Sequence, residues 1–266
     1  MNSKLNNYQI EKFSRQIILK NIGALGQKKI FKSRVLIIGM GGLGCPAAEY
    51  LTRAGIGFLG IVDPDKVDLS NLHRQSLYNI KDLKKPKVSI AQKKLKKINL
   101  KTRIITYKIK IDEYNISKIL KEYDFIIDGS DNFKTKFLLN DYCKKTKKFL
   151  VTGAISKFDG QVFSFNFKNE KTPCIRNFFQ EEKVSDDILN CEYDGVLGTV
   201  AGIVGIFQAN EVLKKISDDT LNCEYDGVLG TVAGIVGIFQ ANEVLKKILD
   251  IGKSLNGFIL IIDLLN

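Results

Sequence analysis

Short apolar runs punctuate the first part of the chain at regular intervals. Val35–Ile38, Phe58–Val62, Ile104–Thr106, Phe125–Ile127 and Phe149–Val151 are each of strand length and rich in β-branched and aromatic residues. The polar stretches between them are long enough for helices. Continuous apolar strands alternating with helices predict a mainly parallel sheet buried on both faces, because each crossover helix covers one side of the sheet. Gly160-Gln-Val-Phe-Ser-Phe-Asn-Phe167 instead alternates with period two, which predicts an antiparallel strand after the parallel set. The late run Phe258–Ile262 is expected to join the same antiparallel region.

A different pattern fills the last third. Residues 185–216 and 217–248 are tandem copies that differ only at Ile188 and Thr220. Two near-identical units do not make a solenoid, which needs several repeats with distinct ends. Each copy contains a run such as Gly195-Val-Leu-Gly-Thr-Val-Ala-Gly-Ile-Val-Gly-Ile-Phe207. It is shorter than a bilayer span, and its small residues suit a helix packed closely on a sheet or on a partner helix. Only one such helix is expected to dock. The other copy is expected to be displaced with an apolar face showing, which would lower solubility or perturb a dimer.

The chain's chemistry begins at Gly39-Met-Gly-Gly-Leu-Gly44, directly after the run Val35–Ile38, with Asp63 closing the next apolar run. A sharp strand-to-helix turn brings bare backbone N–H groups and the positive helix end onto a phosphate, and an acid after the second strand suits a ribose hydroxyl. The pattern is Rossmann-like, so the expected fold is α/β: a mainly parallel sheet with helices on both faces plus a C-terminal antiparallel extension. One domain is expected over residues 1–266, with a nucleotide-binding half at 1–152 and a second half at 153–266.

Further motifs follow in order: Asp65-Lys-Val-Asp-Leu-Ser-Asn-Leu-His-Arg-Gln75, Lys85-Pro-Lys87 and Asp128-Gly-Ser-Asp-Asn132. Phe13-Ser-Arg-Gln-Ile17, Gly153-Ala154 and Asp159-Gly-Gln161 complete the set. Together they resemble the ThiF-type adenylyltransferases that activate ubiquitin-like sulfur carriers for molybdopterin or thiamine biosynthesis. The resemblance implies attack of a carrier's C-terminal glycine carboxylate, at the end of a Gly-Gly tail, on the α-phosphate of ATP, with release of pyrophosphate. It implies nucleotide contacts at Gly39, Gly41, Gly42, Gly44, Asp63, Ser70, Asn71, Arg74, Lys87, Asp131 and Asn132, with Mg²⁺ at Asp131. It also places Arg15 in the site of a neighbouring protomer, so the active unit is expected to be a homodimer, with the carrier groove in the second half.

Cys191 and its counterpart Cys223 match a loop cysteine that in some members of that family bonds covalently to the carrier. Nothing in Asn-Cys-Glu adds positive charge to activate the thiol, and Glu192 does the reverse. Many relatives also carry two Cys-x-x-Cys pairs that hold zinc. Here the first reads Cys174-Ile-Arg-Asn177 and no second follows, so no zinc is expected.

Individual residues have plainer roles to weigh. Asp131 and Asn132 suit a helix N-cap, Asp63 suits a turn, and any one Arg or Lys suits a solvated surface. His73 is the single histidine, which excludes a His-based triad or a multi-histidine metal site within one chain. A carboxylate substrate needs no base, being ionised already at neutral pH.

Composition changes this picture little. The five scattered cysteines fit a reducing cytoplasm, and neither a secretory leader nor a membrane anchor is evident. The net charge of +12 suits an anionic nucleotide or acidic carrier. The Lys runs at 93–97 and 144–148 are broken at helical spacing, so a solvated helix face fits better than a nucleic-acid surface. An NAD-dependent oxidoreductase fits the glycine turn and Asp63 but leaves Arg74, Lys87 and Asp131 unused. A non-catalytic scaffold would keep the fold alone, and a tRNA-directed adenylating dehydratase fits the Asn71–Gln75 and Asp159–Gln161 segments less well.

Overall fold

Every strand-length apolar run named above that falls within the described residues becomes a strand of one six-stranded sheet, whereas the longer run at 195–207 forms a helix. A computed structural model describes residues 5–20, 22–179, 195–217, 230–231 and 234–239. The strands are β1 (Arg34–Ile38), β2 (Phe58–Val62), β3 (Arg103–Tyr107), β4 (Phe125–Asp128), β5 (Phe149–Ser156) and β6 (Asp159–Asn166), in the order β3-β2-β1-β4-β5-β6. All neighbours are parallel except β5 and β6, which pair antiparallel from Phe149↔Asn166 to Ser156↔Asp159. The period-two run at 160–167 thus lies where its alternation placed it, while the run at 258–262 lies outside the described residues.

Strand periodicity divides the apolar residues between two cores. Val35, Ile37, Leu59, Ile61 and Ile127 face α2 (Gly23–Lys32), α3 (Gly44–Ala54), α4 (Lys87–Ile98) and α7 (Gly198–Ser217). Leu36, Ile38, Val62, Ile126 and Leu150 face α5 (Ile116–Leu120) and α6 (Phe133–Lys145). Consecutive residues of a strand point to opposite faces, so helices are required on both. Chain order reverses at β1, whose neighbours are β2 and β4. Open α/β sheets take their ligands beyond the C-terminal strand ends at such a point.

The first copy of the repeated segment supplies α7. It packs on α3, β5 and β6, and a Cβ at Gly205 would run into the Leu43 carbonyl and lie 2.6 Å from Pro46 Cγ. The second copy departs from expectation. Within its described residues, Ile235 is fully buried, the Thr231 hydroxyl donates to Asn210 Oδ1 at 2.9 Å, and Gly234 lies against the ring of Tyr50 on α3. These residues cover the back of α7 instead of being displaced into solvent. No described helix is long and apolar enough to cross a membrane. Cys191 and Cys223 lie outside the described residues.

Candidate functional site

The glycine turn after β1 adopts a backbone that side chains forbid. Gly39 has φ +88°, and a Cβ there would lie 2.7 Å from the Gly129 carbonyl oxygen. A Cβ on Gly44 would collide with the Gly39 carbonyl, so Gly44 closes the turn and does not line the cleft above it. Gly39, Gly41, Gly42 and Leu43 do line that cleft, which has a volume of about 380 Å³. First-turn amides of a helix lack intrahelical acceptors and favour an anion, which suits the start of α3 to phosphate.

Asp63, at the end of β2, is 4% exposed and already accepts two backbone hydrogen bonds, from Met40 N at 2.7 Å and Asp65 N at 2.8 Å. Its carboxylate therefore fixes both the glycine turn and the bend after β2, and it lines the cleft as well. Burial pushes its carboxyl above the usual range, opposed by the charge of Lys87 and by the two N–H donors.

Three cations were expected around the phosphates, and the structure brings two of them together. Lys87 opens α4 with its side chain 7% exposed and its Nζ 3.1 Å from Asp65 Oδ2, which holds the ammonium at the cleft wall. Arg74 lies against Gly42, and its Nη1 donates to the Ser70 carbonyl at 3.2 Å. Ser70 itself is exposed and outside the cleft lining, so its place is to orient Arg74, whereas Asn71 reaches the wall. Arg15 is not in this cleft. It sits on α1 (Asn7–Ile17), whose Gln16 bonds the Ala54 carbonyl at the far end of α3 from the glycine turn. An 11-residue α3 separates the two ends by about 16 Å, from the ~1.5 Å rise per residue.

After β4 the chain presents Asp131 and Asn132 together at the cleft. Asn132 is the N-cap of α6, accepting from Thr135 N at 2.9 Å, which leaves Asp131 exposed with only the Asn132 amide on Oδ1 at 3.2 Å. The capping role falls to Asn132, and the Asp131 carboxylate stays open to a ligand. No three His, Cys, Asp or Glu side chains converge on a metal position among the described residues. Asp131 fits Mg²⁺ in the way that ion is usually held, by one or two carboxylates together with substrate phosphates.

A buried network beneath Asp131 escaped the sequence reading. Asp128 is fully buried and accepts from Ser130 N at 2.9 Å, Lys136 Nζ at 3.2 Å and the Thr152 hydroxyl. Lys136, 2% exposed, also donates to the Ser130 carbonyl at 2.8 Å and the Gly153 carbonyl at 2.7 Å. It thereby ties the loop carrying Asp131 to β5. From the other side, Gln208 of α7 donates to the Asp128 carbonyl at 2.7 Å. Asp128 stood in a motif, but Lys136 looked like one more lysine in a Lys-rich helix. Its only signal was its place near the start of a helix that follows a buried strand.

The cysteine beneath the glycine turn is chemically quiet. Cys45 is fully buried at the start of α3, and burial pushes its thiol up to about 12, well above neutral pH. Cys174 is 5% exposed beside α6, with Lys144 Nζ donating to its sulfur at 3.8 Å.

Comparison with known proteins gives the chain's relatives. The adenylyltransferase and sulfurtransferase MOCS3 of Aedes aegypti is 42% identical over 212 residues, which cover 80% of this chain and 48% of that protein. The chain thus spans about half the length of that relative. A sulfur carrier protein adenylyltransferase of Thermus thermophilus is 39% identical over 209 residues, 77% of each chain. Among solved structures, Escherichia coli MccB with AMPCPP and MccA superposes with a TM-score of 0.69 at 22% identity, covering 81% of this chain and 65% of that one, a likeness of fold. Residues 13–222 match the ThiF family, and with these relatives the match shows that the chain belongs to it.

Proposed function

We propose that the protein activates the C-terminal glycine of a ubiquitin-like sulfur carrier, ending in Gly-Gly, by ATP-dependent adenylylation for molybdopterin or thiamine biosynthesis. One observation carries this reading. The glycine turn, Asn71, Arg74, Lys87, Asp131 and Asn132, scattered along the sequence, converge on a single cleft. A nicotinamide enzyme would need the turn and Asp63 but has no use for two cations and an open carboxylate beside them.

In the reaction, a carrier carboxylate oxygen forms a bond to the α-phosphorus of ATP, and the bond from that phosphorus to the bridging oxygen of the β-phosphate breaks. Pyrophosphate leaves with the electron pair. No proton is removed from the nucleophile, so the reaction requires no general base in the cleft. The start of α3, Arg74 and Lys87 hold the phosphates and offset charge on the leaving group, the task for which preorganised donors are worth most. Asp63 would take the ribose hydroxyls, and Ile109 and Ile111, which line the same cleft, would give the base an apolar surface. Asp131 would hold Mg²⁺, which when bound supplies further neutralisation of phosphate charge.

Arg15, remote from its own cleft, serves this reaction only from a second protomer, so the active unit is a homodimer. The reading is tested by following the carrier adenylate by mass spectrometry. Asp131→Ala is expected to abolish the product, whereas normal turnover would remove Asp131 from the site. Arg15→Ala mixed with Arg74→Ala chains is expected to recover part of the activity, and no recovery in confirmed mixed dimers would overturn the assignment of Arg15.

A further inference from the structure

We propose that Tyr78 is a positioning residue of the nucleotide cleft, whose hydroxyl holds the Met40–Gly41 peptide so that the Gly41 N–H points at a phosphate of the nucleotide. The role rests on the reading of this cleft as an ATP site. Met40 lies within the glycine turn and is fully buried, yet side chains bond both its N–H and its carbonyl. The N–H donates to Asp63 Oδ2 at 2.7 Å. The carbonyl accepts from the Tyr78 hydroxyl at 3.0 Å and from the Cys45 thiol at 3.3 Å, one donor for each of its lone pairs. Tyr78 is 6% exposed. Burial pushes the phenol and the thiol above their usual ranges, so both stay protonated at neutral pH and remain donors.

A peptide group is planar, and in its trans form the C=O and the following N–H point in opposite directions. Among the described residues no peptide bond is cis. The Met40 carbonyl is drawn into the core beneath the turn, so the Gly41 N–H is turned away from the core, and Gly41 lines the cleft. Among the described residues no acceptor takes that N–H. It is left for a ligand, and a donor fixed in advance does not have to reorient when charge arrives.

Tyr78 also closes the segment that carries the other phosphate contacts. Its N–H donates to the Gln75 carbonyl at 3.1 Å, and Gln75 N to the Asn71 carbonyl at 3.1 Å. One hydroxyl therefore ties the segment bearing Asn71 and Arg74 to the glycine turn. Without it the Met40 carbonyl keeps only the thiol, the weaker donor of the two.

The test compares the binding of ATP with that of adenosine, which lacks the phosphates, by NMR titration of the full chain. Tyr78→Phe removes the hydroxyl and keeps the ring. It is expected to weaken ATP binding about tenfold, the low end for a hydrogen bond to a charged group, and to leave adenosine binding unchanged. Equal weakening of the two ligands, as a general loosening of the fold would give, or unchanged ATP binding, would overturn the proposal. Should Tyr78→Phe fail to fold, Cys45→Ala, which removes the other donor to the same carbonyl, decides by the same comparison. Failure of the unaltered chain to bind ATP would overturn the reading of the cleft together with this role, so the two failures are distinct.

Discussion

Two stretches of identical sequence, Gly198–Phe207 and Gly230–Phe239, sit in different surroundings. The first lies inside. Gly205 is pressed under the Leu43 carbonyl, Gly202 meets Ile238, and Gln208 just beyond reaches the Asp128 carbonyl under the site. The second lies outside it. A Cβ on Gly237, counterpart of Gly205, would meet nothing within 4 Å, and Gly234 meets Tyr50. The shared sequence specifies a helix with a small-residue face, and either a sheet or another helix can satisfy that face. Which copy takes the inner slot depends on what each is connected to.

The most severe way to break the inner environment is to remove the charge beneath it. Lys136→Met leaves the Asp128 carboxylate buried without its cation, and about 3–5 kcal/mol of unfolding free energy is expected to be lost in urea titrations. Lys136→Arg, which keeps the charge, is expected to lose less. A loss no larger than that of an exposed lysine would show that the pair does not anchor the slot.

A paired substitution compares the copies directly. Gly205→Ala forces a methyl against the Leu43 backbone and is expected to cost about 1–3 kcal/mol, whereas Gly237→Ala meets open space and gains up to about 1 kcal/mol of helix propensity. Equal effects in thermal melts would mean that the two copies share one environment. Smallest is Thr231→Val, which removes the hydrogen bond to Asn210 and is expected to cost about 0.5–1.5 kcal/mol. Isolation of a folded chain with unchanged stability would take that bond out of the contact between copies.

The same contrast marks what the sequence made legible. Local pattern was enough for the strands, since β2 begins and ends at Phe58 and Val62 as its apolar run does. It was enough too for the glycine turn, where a positive φ and a close carbonyl require residues without a Cβ. Motif residues spread from Gly39 to Asn132 met at one cleft, with two adjustments: Gly44 shapes the turn from beneath, and Ser70 acts through its carbonyl on Arg74. Lys136 was hidden because burial is a property of the assembled sheet, not of a lysine among lysines. The packing of the second copy was hidden for a related reason. A stretch identical to one that already has a place carries no separate signal for where it goes.

The most direct test of the account is ATP–pyrophosphate exchange with Mg²⁺ and candidate carriers ending in Gly-Gly, measured on the full chain and on the chain lacking residues 217–248. Exchange that requires the carrier and disappears with Lys87→Ala is the expected result. Absence of exchange from both chains across the carriers, or exchange that survives Lys87→Ala, would contradict the assignment of this cleft to carrier adenylylation.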